Sequence, residues 1–230
     1  MKIRKSLGSS VLTAVLLCAM LVATPARAAV PATVAEPAAD ANDEGLVKVD
    51  VRNVDVVYRR PGVNWAGYTR VLIAPVTVSF SRSWDPRDYG AFGLSAADVE
   101  RMRRELAILA QETFARVLGE GGFEVVQEPG EGVLLVEPDI VNLYVNAPDP
   151  MEAGRSRTYV LNAGEMTLAL ELRDGVTGTL LARARDRRRG TEYSWLTIAN
   201  RVLNRAEAER ALTGWAKQLR RSLDAARATP

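Results

Sequence analysis

Apolar residues recur at steps of three and four in two segments of this chain, and each segment is predicted to form an amphipathic helix. The first apolar stripe covers positions 99–117 and the second covers positions 208–223. Ser95 with Asp98 is a capping-box pattern, which predicts the start of the first helix. Asn204 predicts the start of the second helix in the same way, since an acidic residue again follows three positions later.

Shorter apolar runs predict strands before and between the helices. Valines alternate with charged residues over positions 47–51, which is typical of a half-buried strand. Residues 70–74 are almost continuously apolar, as in a central strand. The runs at 133–136 and 140–145 are predicted to be two more strands, with Pro138 between them.

A hairpin of residues 165–173 and 179–187 is the clearest strand pair. Apolar and polar residues alternate along its first strand, and the Asp174-Gly175 sequence begins a turn. Residues 151–164, just before the hairpin, are polar and without period, and are predicted to form a mobile loop. Together these elements predict an α+β fold, with a largely antiparallel mixed sheet and two amphipathic helices packed on one face.

The first 28 residues have the pattern of a bacterial signal peptide. Basic residues within positions 2–5 precede an apolar run at 11–23, and Ala26 and Ala28 supply the small residues of a cleavage site. We therefore expect export, cleavage after Ala28 and a periplasmic location. The apolar run is too short to span a membrane stably, so no transmembrane span is expected after cleavage.

An alternative for the N-terminus is a lipid anchor on Cys18, which would make the protein an outer-membrane lipoprotein. Leu17 is bulkier than the residue that precedes a lipid-modified cysteine, and Cys18 lies inside the apolar run. Both features favour cleavage after Ala28. Residues 29–45 are rich in alanine, proline and acids and are predicted to form a flexible spacer, which leaves residues 46–230 as a single domain.

Removal of the signal peptide changes the formal charge of the chain from +2 to −2, because four basic residues and no acidic residue leave with it. A slightly acidic domain is not expected to bind nucleic acid. The chain has no histidine, and Cys18 is its one cysteine. This composition excludes Ser-His-Asp catalysis, Cys-His catalysis and histidine or cysteine zinc sites in the mature protein, and we expect no cofactor and no metal.

The loop of residues 81–93 combines aromatic and acidic side chains and is one candidate binding site. Trp84 and Tyr89 could stack on a sugar or a peptide, and Asp85 and Asp88 could accept hydrogen bonds from it. The spacing of the two aspartates fits no calcium-loop pattern. The structural alternative is that the aromatic residues of this loop fill the end of the core.

Arginines crowd the second strand of the hairpin, where Arg183, Arg185 and Arg187 are predicted to project from one side. These side chains could bind anionic lipid headgroups or an anionic envelope polymer. The structural alternative is that they pair across the hairpin with Glu165 and Glu171, as opposite charges on neighbouring strands do.

Three segments carry a family resemblance. Residues 58–76 read Tyr-Arg-Arg-Pro-Gly and then Tyr-Thr-Arg-Val-Leu-Ile-Ala-Pro-Val, residues 171–182 contain Asp-Gly-Val-Thr-Gly-Thr, and Trp215 lies in the last helix. These segments resemble a bacterial domain-of-unknown-function family, number 3313, over most of the chain. Gly175 and Thr179 replace the serine and glutamate common in that hairpin, which weakens any catalytic role for the turn. The resemblance implies an envelope location, often as a lipoprotein, and no known activity, so it assigns no site residues.

In the absence of a catalytic motif, we expect a non-enzymatic binding or accessory module of the cell envelope, whose partner is an unidentified envelope component. The alternative is a carboxylate-based hydrolase of envelope glycans or peptides, since two acids can act without histidine. Candidate acids are Glu137 with Asp139 and Glu165 with Glu171. A catalytic pair would lie roughly 5–10 Å apart in a pocket, whereas in a binding module these acids would be scattered or ion-paired.

Overall fold

The two predicted amphipathic segments form the helices α1 (Ala96–Glu120) and α2 (Arg201–Arg227). The computed structural model describes residues 45–88, 93–145, 158–160, 164–190, 197–199 and 201–228. Ser95 caps α1 as predicted. Its Oγ accepts a hydrogen bond from the backbone N–H of Asp98 at 3.1 Å, and the Asp98 carboxylate accepts one from the backbone N–H of Ser95 at 3.3 Å.

The predicted start of α2 is wrong. The helix begins at Arg201, so Asn204 lies inside it and is not its cap. An asparagine inside a helix costs less than about 1 kcal/mol relative to alanine, so an isolated capping pattern does not force a helix to begin there.

Ten strands occur in the described residues, and eight of them form one mixed, mostly antiparallel sheet. The strands are Val47–Val49 (β1), Val56–Arg59 (β2), Arg70–Ile73 (β3), Thr77–Phe80 (β4), Glu124–Val125 (β5), Val133–Val145 (β6), Thr158–Val160 (β7), Gly164–Asp174 (β8), Leu180–Arg189 (β9) and Thr197–Ala199 (β10). The order in the large sheet is β1-β2-β9-β8-β6-β3-β5, with β4 also paired to β6. This architecture confirms the predicted α+β class.

Strand β6 runs through Pro138 without a break, so the prediction of two separate strands is wrong. Strand β3 pairs with the first part of β6 as far as Val136, and β4 pairs with the second part from Asp139 onward. Pro138 lies in the gap between these two paired stretches, where β6 has no partner on that edge. The N–H that proline lacks is therefore not needed for a hydrogen bond between strands. The tolerance for proline is therefore set by two neighbouring strands that are distant in sequence.

The segment 151–164, predicted to be a loop, contains a strand. Strand β7 pairs antiparallel with β10 in a separate two-stranded sheet, and Gly164 is the first residue of β8. Strands of three residues are too short to show a period, and pairing with a distant strand leaves no local pattern. The other residues of this segment lie outside the described residues.

Both helices pack against one face of the large sheet and form the core with it. The alternation of β8 places Met166, Leu168, Leu170 and Leu172 on this helix-covered face, as predicted. Strand β9 is in register with β8, so Ala182, Ala184, Asp186 and Arg188 share that face. The opposite side of β8 and β9 carries Glu165, Glu171, Arg183, Arg185, Arg187 and Arg189, and is called the charged face below.

No helix among the described residues combines the length and hydropathy needed to cross a bilayer. The predicted signal peptide, and the predicted spacer apart from Gly45, lie outside the described residues.

Candidate functional site

Trp84 is part of the core. Its side chain is buried, its ring stacks on Phe80 with 4.2 Å between the ring centroids, and its Nε1 donates a hydrogen bond to the carbonyl oxygen of Val145 at 3.1 Å. The structural alternative for the 81–93 loop is therefore confirmed for Trp84, whose ring face is occupied by another aromatic residue.

The acids of the same loop lie at the surface. The Asp85 carboxylate forms an ion pair with Arg87, with 2.6 Å between Oδ2 and Nη2. Hydrogen bonds from the Arg87 side chain and backbone lower the pKa of Asp85 to about 2. Asp88 is exposed, and Tyr89 lies outside the described residues. A ligand-binding role for Asp85, Asp88 and Tyr89 stays a prediction.

The charged face is an ion-pair network. Arg183 donates from Nε to Glu171 Oε1 at 2.9 Å, and Arg187 donates from Nη2 to Glu165 Oε2 at 2.5 Å, so the predicted pairing across the hairpin is confirmed for both arginines. Arg185 is opposite Ala169, and no carboxylate of the described residues pairs with it.

Arg173 extends this network across three strands. Its Nε donates to Glu137 Oε2 at 2.8 Å and its Nη2 donates to Glu171. The candidate catalytic acid Glu137 is therefore ion-paired, while Asp139 accepts a hydrogen bond from Thr77 Oγ1 at 2.6 Å.

Asp186 has an environment that the sequence analysis missed. It is the one acid within the Arg-Ala-Arg-Asp-Arg-Arg-Arg run of β9, and it is buried on the helix-covered face. Its Oδ2 accepts hydrogen bonds from Trp215 Nε1 at 2.6 Å and from Arg188 Nε at 3.1 Å, and its Oδ1 accepts one from the backbone N–H of Asp55 at 3.1 Å. The available signal was the alternation of β9, which sets position 186 opposite the charged face.

Arg188 is held in place by these neighbours. Its guanidinium lies 5.5 Å from the centroid of the Trp215 ring, within the range of a cation–π contact. Gly214 provides the space, because a Cβ at this position would lie 2.4 Å from Arg188 Nη1. A glycine inside a helix costs about 0.5–1 kcal/mol relative to alanine, and at Gly214 it lets the guanidinium lie against α2.

A cavity of about 640 Å³ lies next to Arg188. It is bounded by the first halves of α1 and α2, by the end of β6, by the start of β8 and by the end of β9. Its apolar lining comes from both helices and from β6 and β8, and includes Met102, Leu106, Leu109, Leu143, Val145, Met166, Ala208 and Ala211. This volume falls within the range of about 300–1,000 Å³ that is typical of small-molecule sites.

Charged residues complete the lining of this cavity. They are five arginines and three glutamates: Arg101, Arg188, Arg189, Arg205, Arg210, Glu105, Glu165 and Glu207. Arg205 is exposed and has no carboxylate partner within the described part of the chain. No group of acids in the described residues has the arrangement of a metal site.

A tight backbone contact closes one side of the cavity. Gly164 has φ +123°, and a Cβ at this position would lie 2.0 Å from the carbonyl oxygen of Tyr144. The Gly164 carbonyl oxygen also accepts a hydrogen bond from the backbone N–H of Gly190 at 2.7 Å. Strands β6, β8 and β9 can therefore meet here only if position 164 has no side chain.

Comparison with known proteins assigns the chain to a family. The family described as "Protein of unknown function (DUF3313)" matches residues 41–219. The chain belongs to the DUF3313 family. The resemblance seen in the hairpin and in the last helix is thus confirmed, and the matched range includes both α1 and β6 and most of α2. A search of curated proteins finds no match to this chain.

Several solved structures are similar to this DUF3313 protein at low identity. The PelC dodecamer from Paraburkholderia phytofirmans is 15% identical with a TM-score of 0.38, over 71% of this chain and 96% of that one. A DUF330 protein from Xanthomonas campestris is 15% identical with a TM-score of 0.39, over 74% of this chain and 89% of that one. A DUF4136 protein from Bacteroides thetaiotaomicron is 11% identical with a TM-score of 0.33, over 76% of this chain and 98% of that one.

Proposed function

We propose that this protein is an exported, non-enzymatic module that binds a component of the bacterial cell envelope. The signal-peptide pattern supports the location, with cleavage after Ala28 and release into the periplasm. The cavity between the helices and the end of the sheet is the binding site in this proposal, because it combines an apolar lining with charged side chains that can orient a ligand.

The observation that carries the proposal is that every glutamate of the cavity has an arginine partner. Glu165 pairs with Arg187 and Arg189, and Glu207 pairs with Arg210. Glu105 lies 3.9 Å from Arg101. These ion pairs already occupy the carboxyl groups of the lining, whereas a glycoside hydrolase needs a pair of carboxyl groups directed at the scissile bond. This arrangement supports binding and not hydrolysis.

The test is recovery of the native protein from the cell envelope, with mass spectrometry of its N-terminus and of the components that copurify. We expect a chain that begins at Ala29, found in the periplasmic fraction with an envelope component. A lipid-modified Cys18 would contradict the periplasmic assignment. Purification without any envelope component would contradict the binding function.

A turnover screen against envelope glycans and peptides tests the absence of hydrolysis. Glu165→Gln is the informative variant, because Glu165 lines the cavity. Glu137→Gln is the matched control, because Glu137 is also ion-paired with an arginine but does not line the cavity. We expect no turnover by the wild-type protein or by either variant. Turnover that is lost only in Glu165→Gln would establish a hydrolase.

A further inference from the structure

We infer that the cavity binds a single-chain anionic amphiphile: an acyl chain among the apolar residues, with its negatively charged head at Arg205 and Arg188. This inference rests on the proposed function and names the class of ligand for the same site. Three observations carry it, namely the apolar lining, the position of Arg205 beside it without a carboxylate partner among the described residues, and the fixed position of Arg188.

The apolar lining fits an acyl chain. Met102 and Leu106 of α1, Ala208 and Ala211 of α2 and Met166 of β8 all line the cavity. Methionine and leucine side chains offer a chain only dispersion contacts and adapt to its shape. The two alanines leave the space between the helices unfilled. A sugar or a peptide would need hydrogen-bond partners along its whole length, and this part of the lining supplies none of them from its side chains.

The charges around the lining fit an anion. Five arginines and three glutamates line the cavity. Acids outside the lining pair with two of these arginines, Asp98 with Arg101 and Asp186 with Arg188, while Arg187 from outside pairs with Glu165. Arg205 has no carboxylate partner among the described residues. An anionic head that meets Arg205 gains a charge-assisted hydrogen bond without breaking an existing ion pair.

Arg188 is a second contact for the head, and its position is fixed before a ligand binds. Arg188 lines the cavity, and its guanidinium is held by Asp186 and Trp215 in the space that Gly214 leaves. A side chain that is already ordered loses little conformational entropy on binding, so its contact with the head is more favourable. The space that Gly214 leaves for Arg188 explains why α2 contains a glycine despite its cost in helix stability.

The experiment measures binding of oleate to the purified, delipidated chain of residues 29–230, by displacement of a fluorescent polyene fatty acid. Oleyl alcohol has the same chain without the charge, and acetate has the same head without the chain. Lysophosphatidylglycerol tests whether the head is a phosphate diester. Phosphatidylglycerol vesicles test whether the protein binds a lipid surface instead.

We expect oleate or lysophosphatidylglycerol to bind at least tenfold more tightly than oleyl alcohol, and acetate not to bind. Arg205→Gln should weaken binding of the anionic ligand about tenfold, as loss of one charge-assisted hydrogen bond does. Ala208→Trp should abolish binding by filling the space between the helices. The preferred head identifies whether the natural ligand is a fatty acid or a lysophospholipid.

Two control variants separate the cavity from general effects. Arg104→Gln removes an exposed arginine of α1 that does not line the cavity, and Ala206→Trp adds the same indole to an exposed position of α2. Both should bind like the wild-type protein. The thermal unfolding midpoint of each variant shows whether it is folded. If Ala208→Trp does not fold, Arg205→Gln still tests the inference, because a substitution at an exposed position should not disturb the fold.

Three results would overturn the inference. They are equal affinity for oleate and oleyl alcohol, unchanged affinity in folded Ala208→Trp, and binding only to vesicles. The native protein could still copurify with another envelope component in any of these cases, and the proposed function would then stand without this ligand class. If the native protein copurifies with no envelope component and the purified chain binds no anionic amphiphile, both proposals are rejected.

Discussion

Asp186 differs from its sequence neighbours in the side of the sheet that it faces. It lies among arginines that face away from the helices, yet its own carboxylate is buried against α2. A buried carboxylate is tolerated only when hydrogen bonds replace its lost hydration. Trp215, Arg188 and the backbone of Asp55 supply those hydrogen bonds. The residue therefore links α2, β9 and the segment before β2.

We predict that Asp186→Ala lowers the free energy of unfolding by about 3 kcal/mol, because it leaves Trp215 Nε1 without its acceptor and Arg188 without its ion-pair partner. Urea denaturation followed by tryptophan fluorescence measures this change. Asp224→Ala is the control, since Asp224 is exposed on the same helix and should change stability by less than about 0.5 kcal/mol. Equal effects of the two substitutions would refute the role given to Asp186.

We predict that Gly164→Ala destabilises the protein by more than about 3 kcal/mol, because backbone strain and a steric clash add together. Position 164 has φ +123°, and the new Cβ would lie 2.0 Å from the Tyr144 carbonyl oxygen. Gly178→Ala is the matched control. Gly178 has φ +67° and nothing within 4 Å of the added Cβ, so only the strain of about 1–2 kcal/mol applies. Similar losses in the two variants, measured in urea, would show that the contact with Tyr144 is unimportant.

At the scale of elements, a side-chain contact between Asp174 and Tyr68 joins the turn of the β8–β9 hairpin to the segment just before β3. The Asp174 carboxylate accepts hydrogen bonds from the backbone N–H groups of Val176 and Thr177 at 3.1 and 2.7 Å. It also accepts one from the Tyr68 hydroxyl at 2.8 Å. These hydrogen bonds, above all that from the Thr177 backbone, lower the pKa of Asp174 to about 2. Burial, followed by the contact with Asp174, raises the pKa of Tyr68 to about 12.

The lowered pKa predicts a pH dependence of stability on the acid side. The ionised carboxylate is favoured in the folded state, so its contribution is complete above the ordinary pKa of 3.8 and is lost as the pH falls towards 2. Asp174→Asn should therefore show a smaller fall in stability than the wild type over this range. Urea titrations at several pH values provide the measurement. Parallel curves for the two proteins would contradict the prediction.

The raised pKa of Tyr68 predicts the opposite dependence at alkaline pH. The neutral phenol is favoured in the folded state, so its contribution is complete below pH 10 and is lost as the pH rises towards 12. Tyr68→Phe should remove this dependence. The difference in phenolate absorbance between the wild type and Tyr68→Phe follows the ionisation of Tyr68, in the folded protein and in urea. Ionisation of Tyr68 near pH 10 in the folded protein would contradict the prediction.

Elements that depend on neighbouring residues could be predicted from the sequence, and elements that depend on segments distant in sequence could not. The start of α1 was predictable because Ser95 and Asp98 cap it within one turn. The hairpin was predictable because its alternation and its turn are adjacent in sequence. The continuity of β6 through Pro138 was not, because it depends on the gap between β3 and β4. The pairing of β7 with β10 likewise joins segments that share no local pattern.

At the scale of the whole molecule, residues 39–230 form one compact unit. α2 is essential to it, because Leu212, Trp215 and Leu219 complete the core that α1 and the sheet begin. The charged face and the cavity meet at the end of the sheet, where Glu165 and Arg189 belong to both, so one fold presents an ion-paired surface beside a site with an apolar lining.

We predict that a chain of residues 39–230 unfolds in one cooperative step, with the same midpoint as the chain of residues 29–230, because the core lies within it. A chain of residues 39–200 should fail to fold, since it lacks α2. Circular dichroism and tryptophan fluorescence should report coincident transitions for the longer chain. A folded product without α2 would show that the sheet and α1 are sufficient.

The sequence by itself determined the α+β class, the two amphipathic helices, the hairpin and its cross-strand ion pairs, since each follows from a period or a pairing that neighbouring residues express. It also limited the chemistry, because a mature chain without histidine or cysteine lacks the usual nucleophile and metal sites. Tertiary structure alone decided the burial of Asp186, the placement of Arg188 and the cavity between the helices. These features arise where α1, α2 and three strands meet, so they depend on distances between segments that no local pattern encodes.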